Sequence, residues 1–330
     1  MPLKGFVCPP GTPTAGNRND IRWCVGSCPH PCVAPPLLAA IYKAESENHH
    51  KGAYISASML AGSSCARQTF YERKFDFFEH PTRRYWPFRG THAHTICERA
   101  GDLIAEFGWL QELHMEVPLV YPEEPAPVFD DDGVFTGTFD PDRPLTVQLG
   151  GTLDAYNPTT KALWDMKSMA DRKVEMMIEG SKEGKYSRNL EDRWVIQTNI
   201  YRWLIAHTEM PQDIKTKFNL SGTHFPAPEF LGIQGIAMMH IPRTGSHVQF
   251  KIGRTTSYYD IDDVPILPME EVEALIRTEA LKWYRWLVLE EMPPVVAASQ
   301  KWMCKSCPFN GELIPGSPCH PTAERAAFGV

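Results

Sequence analysis

Asp154, Asp165 and Lys167 lie in one short stretch, GGTLDAYNPTTKALWDMKS, residues 150–168. Thr152–Tyr156 has strand composition. Asn157–Thr160 has turn chemistry, with Pro158 restricting φ and Asn157 suited to local side-chain bonding. Residues 162–167 return as a short apolar–polar alternation. Residues two apart in a strand share a face, so Asp165 and Lys167 point the same way, and a hairpin can bring Asp154 to that side. Like charges crowded together are costly unless a cation sits between them. Carboxylate oxygens suit Mg²⁺ or Mn²⁺, and the lysine is then left to steer a water or to stabilise charge on a phosphate. A surface hairpin with an ion pair between its strands would use the same residues, so the rest of the chain must decide.

Other polar groups fall at suggestive places. His92 and His94 sit near the start of a helical stretch, and imidazole is a common ligand where a metal already has carboxylates. Arg193, Gln197 and Tyr201 are spaced i, i+4, i+8, which makes one stripe on a helix. Arginine pairs with phosphate, glutamine with phosphate or a base edge, and tyrosine stacks. Between hairpin and helix, Arg172, Lys173, Lys182, Lys185 and Arg188 alternate with Asp171, Glu175, Glu179 and Glu183, a mixed and solvated pattern.

The nine cysteines are clustered, four in the first 32 residues and three in the last 27. Cys8, Cys24, Cys28 and Cys32 make a self-contained four-thiol set, with His30 beside them, and the expected occupant is Zn²⁺. Cys304 and Cys307 form a CxxC pair, Cys319 is a third thiolate, and Cys65 is the best remote fourth; such a set binds Zn²⁺ or an iron–sulfur cluster. Cys97 reads as a plain buried cysteine.

These groups need elements to hold them. Residues 1–50 are rich in Cys, Pro and Gly with little periodicity. Ser56 caps a helix expected to run through SASMLAGSSCARQTFYERKF, and THAHTICERAGDLIAEFG reads as a helix ending near Gly108. Residues 116–167 read as strands separated by acidic and proline-rich turns. NLEDRWVIQTNIYRWLIAHTE is an amphipathic helix, IQGIAMMHIPR and SHVQFKIGR are late strands, and a long helix begins at Pro268. The order α–βββ–α–β–α predicts an α/β fold, a mixed central sheet flanked by helices with Cys-rich termini. The 330 residues are 43% hydrophobic, ample for a core, and the formal charge of −7 excludes a generally basic nucleic-acid coat. No apolar run reaches the ~20 residues of a membrane span. The N-terminus lacks the apolar centre of a signal peptide, so the expected place is the cytoplasm, with no membrane partner. No Gly-Lys-Ser/Thr phosphate loop occurs, which leaves no built-in ATP motor and places any helicase in a separate partner.

Taken in order, ISASMLAGSSCARQTFYER, GTHAH, GGTLDAY, LWDMKS, QTNIY and CKSCPF followed by a last cysteine resemble the PD-(D/E)XK nuclease superfamily. The closer likeness is to RecB-like nucleases that carry an iron–sulfur cluster, such as the AddB nuclease domain and CRISPR-associated RecB-like exonucleases. It covers residues 54–320. The resemblance implies a restriction-endonuclease-like core over residues 51–330, closed by a C-terminal 4Fe-4S segment, behind a Cys-rich segment 1–50. It implies that His94, Asp154, Asp165 and the backbone carbonyl of Met166 hold Mg²⁺ or Mn²⁺. It makes Lys167 catalytic with Asp154 and Asp165, assigns Gln197 and Tyr201, with Arg193 beside them, to DNA, and gives the cluster Cys65, Cys304, Cys307 and Cys319. The implied activity is metal-dependent DNA exonucleolysis from single-stranded or frayed ends, in recombination, repair, phage or CRISPR-adaptation settings. The alternatives are a DNA-end-binding scaffold whose metal and cluster are structural, and an endonuclease or RNA nuclease on the same fold. Two features depart from the pattern: the spacing from Cys307 to Cys319 is long, and the N-terminal cysteine set has no counterpart in it.

Overall fold

The computed structural model describes residues 3–8, 13–29, 35–47, 54–62, 65–74, 77–79, 101–169, 185–187, 190–237, 243–244, 247–248 and 259–294, with Cys304, Cys307 and Phe309. The strands in chain order are β1 (Leu3–Val7), β2 (Arg18–Asp20), β3 (Ile55–Ser56), β4 (Phe77–Glu79), β5 (Leu110–Phe129) and β6 (Phe135–Asn157). They continue with β7 (Ala162–Met169), β8 (Phe230–Ala237), β9 (Arg243–Thr244), β10 (His247–Val248) and β11 (Tyr259–Asp263). A six-stranded mixed sheet runs β11-β8-β7-β6-β3, with β5 also paired to β6. The architecture is therefore α/β, with a mixed sheet flanked by helices.

β6 is the spine. Along one edge it pairs antiparallel with β5 over nearly its whole length. The opposite edge is shared between two short partners: β3 runs parallel at Leu149 and Gly150, and β7 antiparallel from Ala155 to Asn157. β7 is then parallel to β8 along all of Ala162–Met169. The expected separate strands of 116–167 are thus one long hairpin and a return strand. Pro118, Pro122, Pro125 and Pro127 do not break β5 into pieces, because an edge strand loses little by lacking an N–H. Pro118 keeps regular register opposite Gln148, while Pro122, Pro125 and Pro127 coincide with register shifts between Tyr121 and Phe129. The single reversal is at Asp130–Val134, where the Asp130 carboxylate accepts from the N–H groups of Asp132 and Val134.

Two helices cover the sheet. Asp192–His207 packs on β5 and β6, and Met269–Leu287 packs on that helix and on β6. Pro268 stands just before the second of these, as read from the sequence. Ser56 does cap a helix, accepting from Met59 N at 3.4 Å, but the helix expected to run to residue 75 is broken. It spans Ala57–Leu60, turns at Gly62 with φ +73°, and starts again as Ala66–Lys74. A positive φ is the conformation glycine tolerates and a helix does not. The helix before β5 ends as expected: Gly101–Glu106 is helical, and Gly108 has φ +85°.

A second core changes the status of the N-terminal segment. β1, β2, the helix Ile21–Gly26 and the helix Pro35–Glu47 are ordinary secondary structure, not an aperiodic arm. Leu3, Phe6, Cys24, Leu38 and Ile41 are buried together with Phe70, Tyr71, Phe77, Cys307 and Phe309. The Phe309 ring lies 5.3 Å from that of Tyr71 and 5.7 Å from that of Phe77, centroid to centroid. β1 also pairs in parallel with β4. Both ends of the described chain are therefore halves of one apolar cluster. Phe309→Ala should cost about 3–5 kcal/mol. Thermal melting combined with limited proteolysis checks this: the first 47 residues should become cleavable at the same temperature at which the Cys304–Phe309 segment loosens.

Candidate active site

The hairpin 150–168 forms as its residues dictate. Asn157 Oδ1 accepts from Thr159 N and Thr160 N at 3.0 Å each, and Lys161 takes the left-handed φ of 54° that closes the turn. Cross-strand pairing runs Asn157↔Ala162, Tyr156↔Leu163, Ala155↔Trp164, and there it stops. One step further the register sets Asp154 against Asp165. In place of the next ladder bond, the Asp154 carboxylate accepts directly from the N–H of Met166. The strands splay because a side chain has replaced a carbonyl, and the two aspartates lie at the fork.

Both carboxylates are buried, Asp154 at 7% and Asp165 at 3% exposure. Lys167 comes to the same point, its Nζ 2.8 Å from Asp165 Oδ2. It also donates to Gln197 Oε1 at 3.1 Å, and Gln197 Nε2 donates to Tyr201 OH at 3.0 Å. Three formal charges within this group sum to −1, which a hard divalent cation would offset with oxygen ligands. Burial, then the negative charges of Asp165 and Asp154, push the Tyr201 phenol far above its ordinary pKa, against the opposing effect of its bond from Gln197. It is a neutral hydroxyl at any physiological pH.

The helix that carries Gln197 and Tyr201 is itself pinned. Asn199 Nδ2 donates to Pro265 O at 2.9 Å, Asn199 Oδ1 accepts from Leu267 N at 2.9 Å, and Arg202 Nε donates to Pro228 O at 3.0 Å. Local sequence pattern does not single out Asn199, because its partners Pro265 and Leu267 lie far along the chain. The glycine pair has a steric reason. A Cβ on Gly151 would lie 2.8 Å from Tyr201 Cε1, and a Cβ on Gly150 would lie 2.7 Å from the Tyr54 ring and hydroxyl.

Gln197 and Tyr201 are both buried, and their bonds link them to Lys167, whose side chain is partly exposed. Arg193 is half-buried and holds Glu191, one turn from that chain of bonds. His94, Cys32, Cys97 and Cys319 lie outside the described residues. Among the described residues, no three His, Cys, Asp or Glu side chains are close enough to hold one ion. In the N-terminal set, Cys8 Sγ accepts from Thr14 Oγ1 and Asn19 Nδ2 at 3.2 and 3.0 Å, while Cys24 is packed in the second core. For the other set, Cys307 N donates to Cys304 O at 3.2 Å, and Cys307 shares its core with Phe70 and Tyr71, on the helix that Cys65 precedes.

Gly151→Ala should destabilise the protein by about 1–3 kcal/mol through its collision with Tyr201. A double-mutant cycle read by denaturant unfolding tests the cause. The same change made in a Tyr201→Ala background should cost less, and an equal cost in both backgrounds would place the clash elsewhere.

No protein-family model matches the chain, and no curated protein matches it. Among solved structures, it is similar to the crystal structure of a protein designated SSO0001, with 15% identity and a TM-score of 0.42, over 85% of this chain and 94% of that one. A likeness at that level says nothing about what this chain binds.

Proposed function

We propose that the chain is a divalent-metal-dependent deoxyribonuclease of the PD-(D/E)XK kind, trimming DNA from single-stranded or frayed ends. The observation that carries the reading is the fork between β6 and β7, where two buried aspartates from paired strands meet one lysine. The ordered motifs described above support it. The donor chemistry fits Mg²⁺ or Mn²⁺, held by Asp154, Asp165, the Met166 carbonyl and His94. Such an ion supplies Lewis-acid polarisation of the phosphodiester and a water of lowered pKa.

The chain's own residues have distinct tasks. Asp154 holds the mouth of the fork by accepting from Met166 N, which sets the direction of the Asp165–Met166 peptide. Lys167 presents an ammonium between Asp165 and Gln197, placed to donate to a phosphate oxygen as charge develops on it. Hydrolysis then joins a water oxygen to phosphorus and breaks one P–O bond, and the leaving oxygen takes up a proton. Gln197 and Tyr201 are positioning residues: they hold the Lys167 side chain and need not touch the strand. In the same reading Cys65, Cys304, Cys307 and Cys319 hold a 4Fe-4S cluster as a staple between the Ala66–Lys74 helix and the tail.

End-labelled single-stranded DNA with Mn²⁺ is the test. Wild-type protein should shorten the strand, and Lys167→Ala should not. If both proteins bind the strand and neither shortens it, the chain is a DNA-end scaffold. The division of labour has its own measurement. Gln197→Ala and Tyr201→Phe should lower kcat by roughly 10- to 100-fold, as losses of supporting contacts do, with KM little changed. A rise in KM at constant kcat would return both residues to the DNA surface.

A further inference from the structure

Four residues before Asp154, about 13 Å along β6 at strand spacing, a pair of aromatic rings stands beside the strand. Tyr54 lies against Gly150, the position where any Cβ would meet its ring, and its carbonyl is held by Arg73 Nη1 at 2.9 Å. His114 on β5 is opposite Thr152. Its ring is nearly parallel to that of Tyr54, with 18° between planes and 6.4 Å between centroids, an offset stack. Both ring nitrogens are engaged: Nδ1 is 3.2 Å from Thr152 Oγ1 and Nε2 is 3.1 Å from Glu116 Oε1. The imidazole is therefore fixed in orientation, yet its side chain is 56% exposed. Gly150, Thr152 and Asp154 alternate along β6, so the strand's two-residue period leads from Tyr54 past His114 to the fork.

We propose that His114, backed by Tyr54, is a stacking platform for a base of the single-stranded substrate, next to the cutting site. The proposal rests on the nuclease reading. Fixed aromatic faces accept any base and lose little entropy on binding, which is how single strands are held without sequence preference. The Glu116 carboxylate beside the imidazole repels phosphate, so the site suits a base and not the backbone. Burial, with Glu116 adding to it and Arg73 opposing, holds the Tyr54 phenol above its ordinary pKa, so it adds no negative charge.

The experiment measures binding of a fluorescent single-stranded oligonucleotide to full-length protein carrying Lys167→Ala, so that the strand is not consumed. His114→Ala in that background should weaken binding roughly tenfold, the scale of one lost base stack, and His114→Phe should restore it. Tyr54→Leu is a second probe, with the melting temperature followed to separate lost packing from lost stacking. An oligonucleotide carrying an abasic site at the stacked position should bind the parent and the His114→Ala variant equally. Equal affinity of His114→Ala and its parent for the intact strand overturns the platform. The nuclease reading has a separate readout, the Mn²⁺ cleavage assay on wild-type protein. Cutting with no His114 effect removes the platform alone, and absence of both cutting and binding removes both.

Discussion

Two carboxylates with little access to water stand on neighbouring strands, and that electrostatic cost organises the centre of the molecule. Asp154 meets part of it by accepting the Met166 N–H in place of a ladder bond, and Asp165 meets part by pairing with Lys167. Buried charge is tolerated only where such partners are held in place. The fork between β6 and β7 is thus both a defect in the sheet and the place where the sheet concentrates charge. β8 makes the defect tolerable, because it pairs with every residue of β7 and holds that strand while β6 lets go.

The support for Lys167 comes from far along the chain. Gln197 receives it and is held in turn by Tyr201, Gly151 leaves room for Tyr201, and Asn199 and Arg202 fix their helix to the segments before and after the last strands. Each contact is worth on the order of 1 kcal/mol alone. Together they restrict one long, flexible ammonium to a single position. The two helices over the sheet are connected to the chemistry through this chain of bonds, and their apolar faces supply the core that keeps water from its inner end.

Much of the site was legible locally. The turn at Asn157–Lys161, the strands on either side of it, and the shared direction of Asp154, Asp165 and Lys167 follow from turn chemistry and a two-residue period. The i, i+4 spacing of Gln197 and Tyr201 also described their mutual bond, but not the depth at which it is made. Helical spacing says which residues are neighbours and not which way the face turns, because that depends on what packs there. The break at Gly62 was missed for a related reason: a glycine within a helical pattern is often tolerated, and only the second core behind Phe70 and Tyr71 makes the turn worth forming.

By itself the sequence determined the hairpin, its charged residues, the helix carrying Gln197 and Tyr201, and the α/β class, because each depends on interactions within a few residues. The tertiary structure alone decided that the N-terminal segment and the tail share a core, since nothing in residues 1–47 names Phe309 as a partner. It also decided that β6 would be shared between β3 and β7, with the fork between them. And it decided that Tyr54 and His114 would stand in line with Asp154. Contacts of that kind join residues tens to hundreds of positions apart. They are selected by the competition among all apolar surfaces for burial, which no local pattern records.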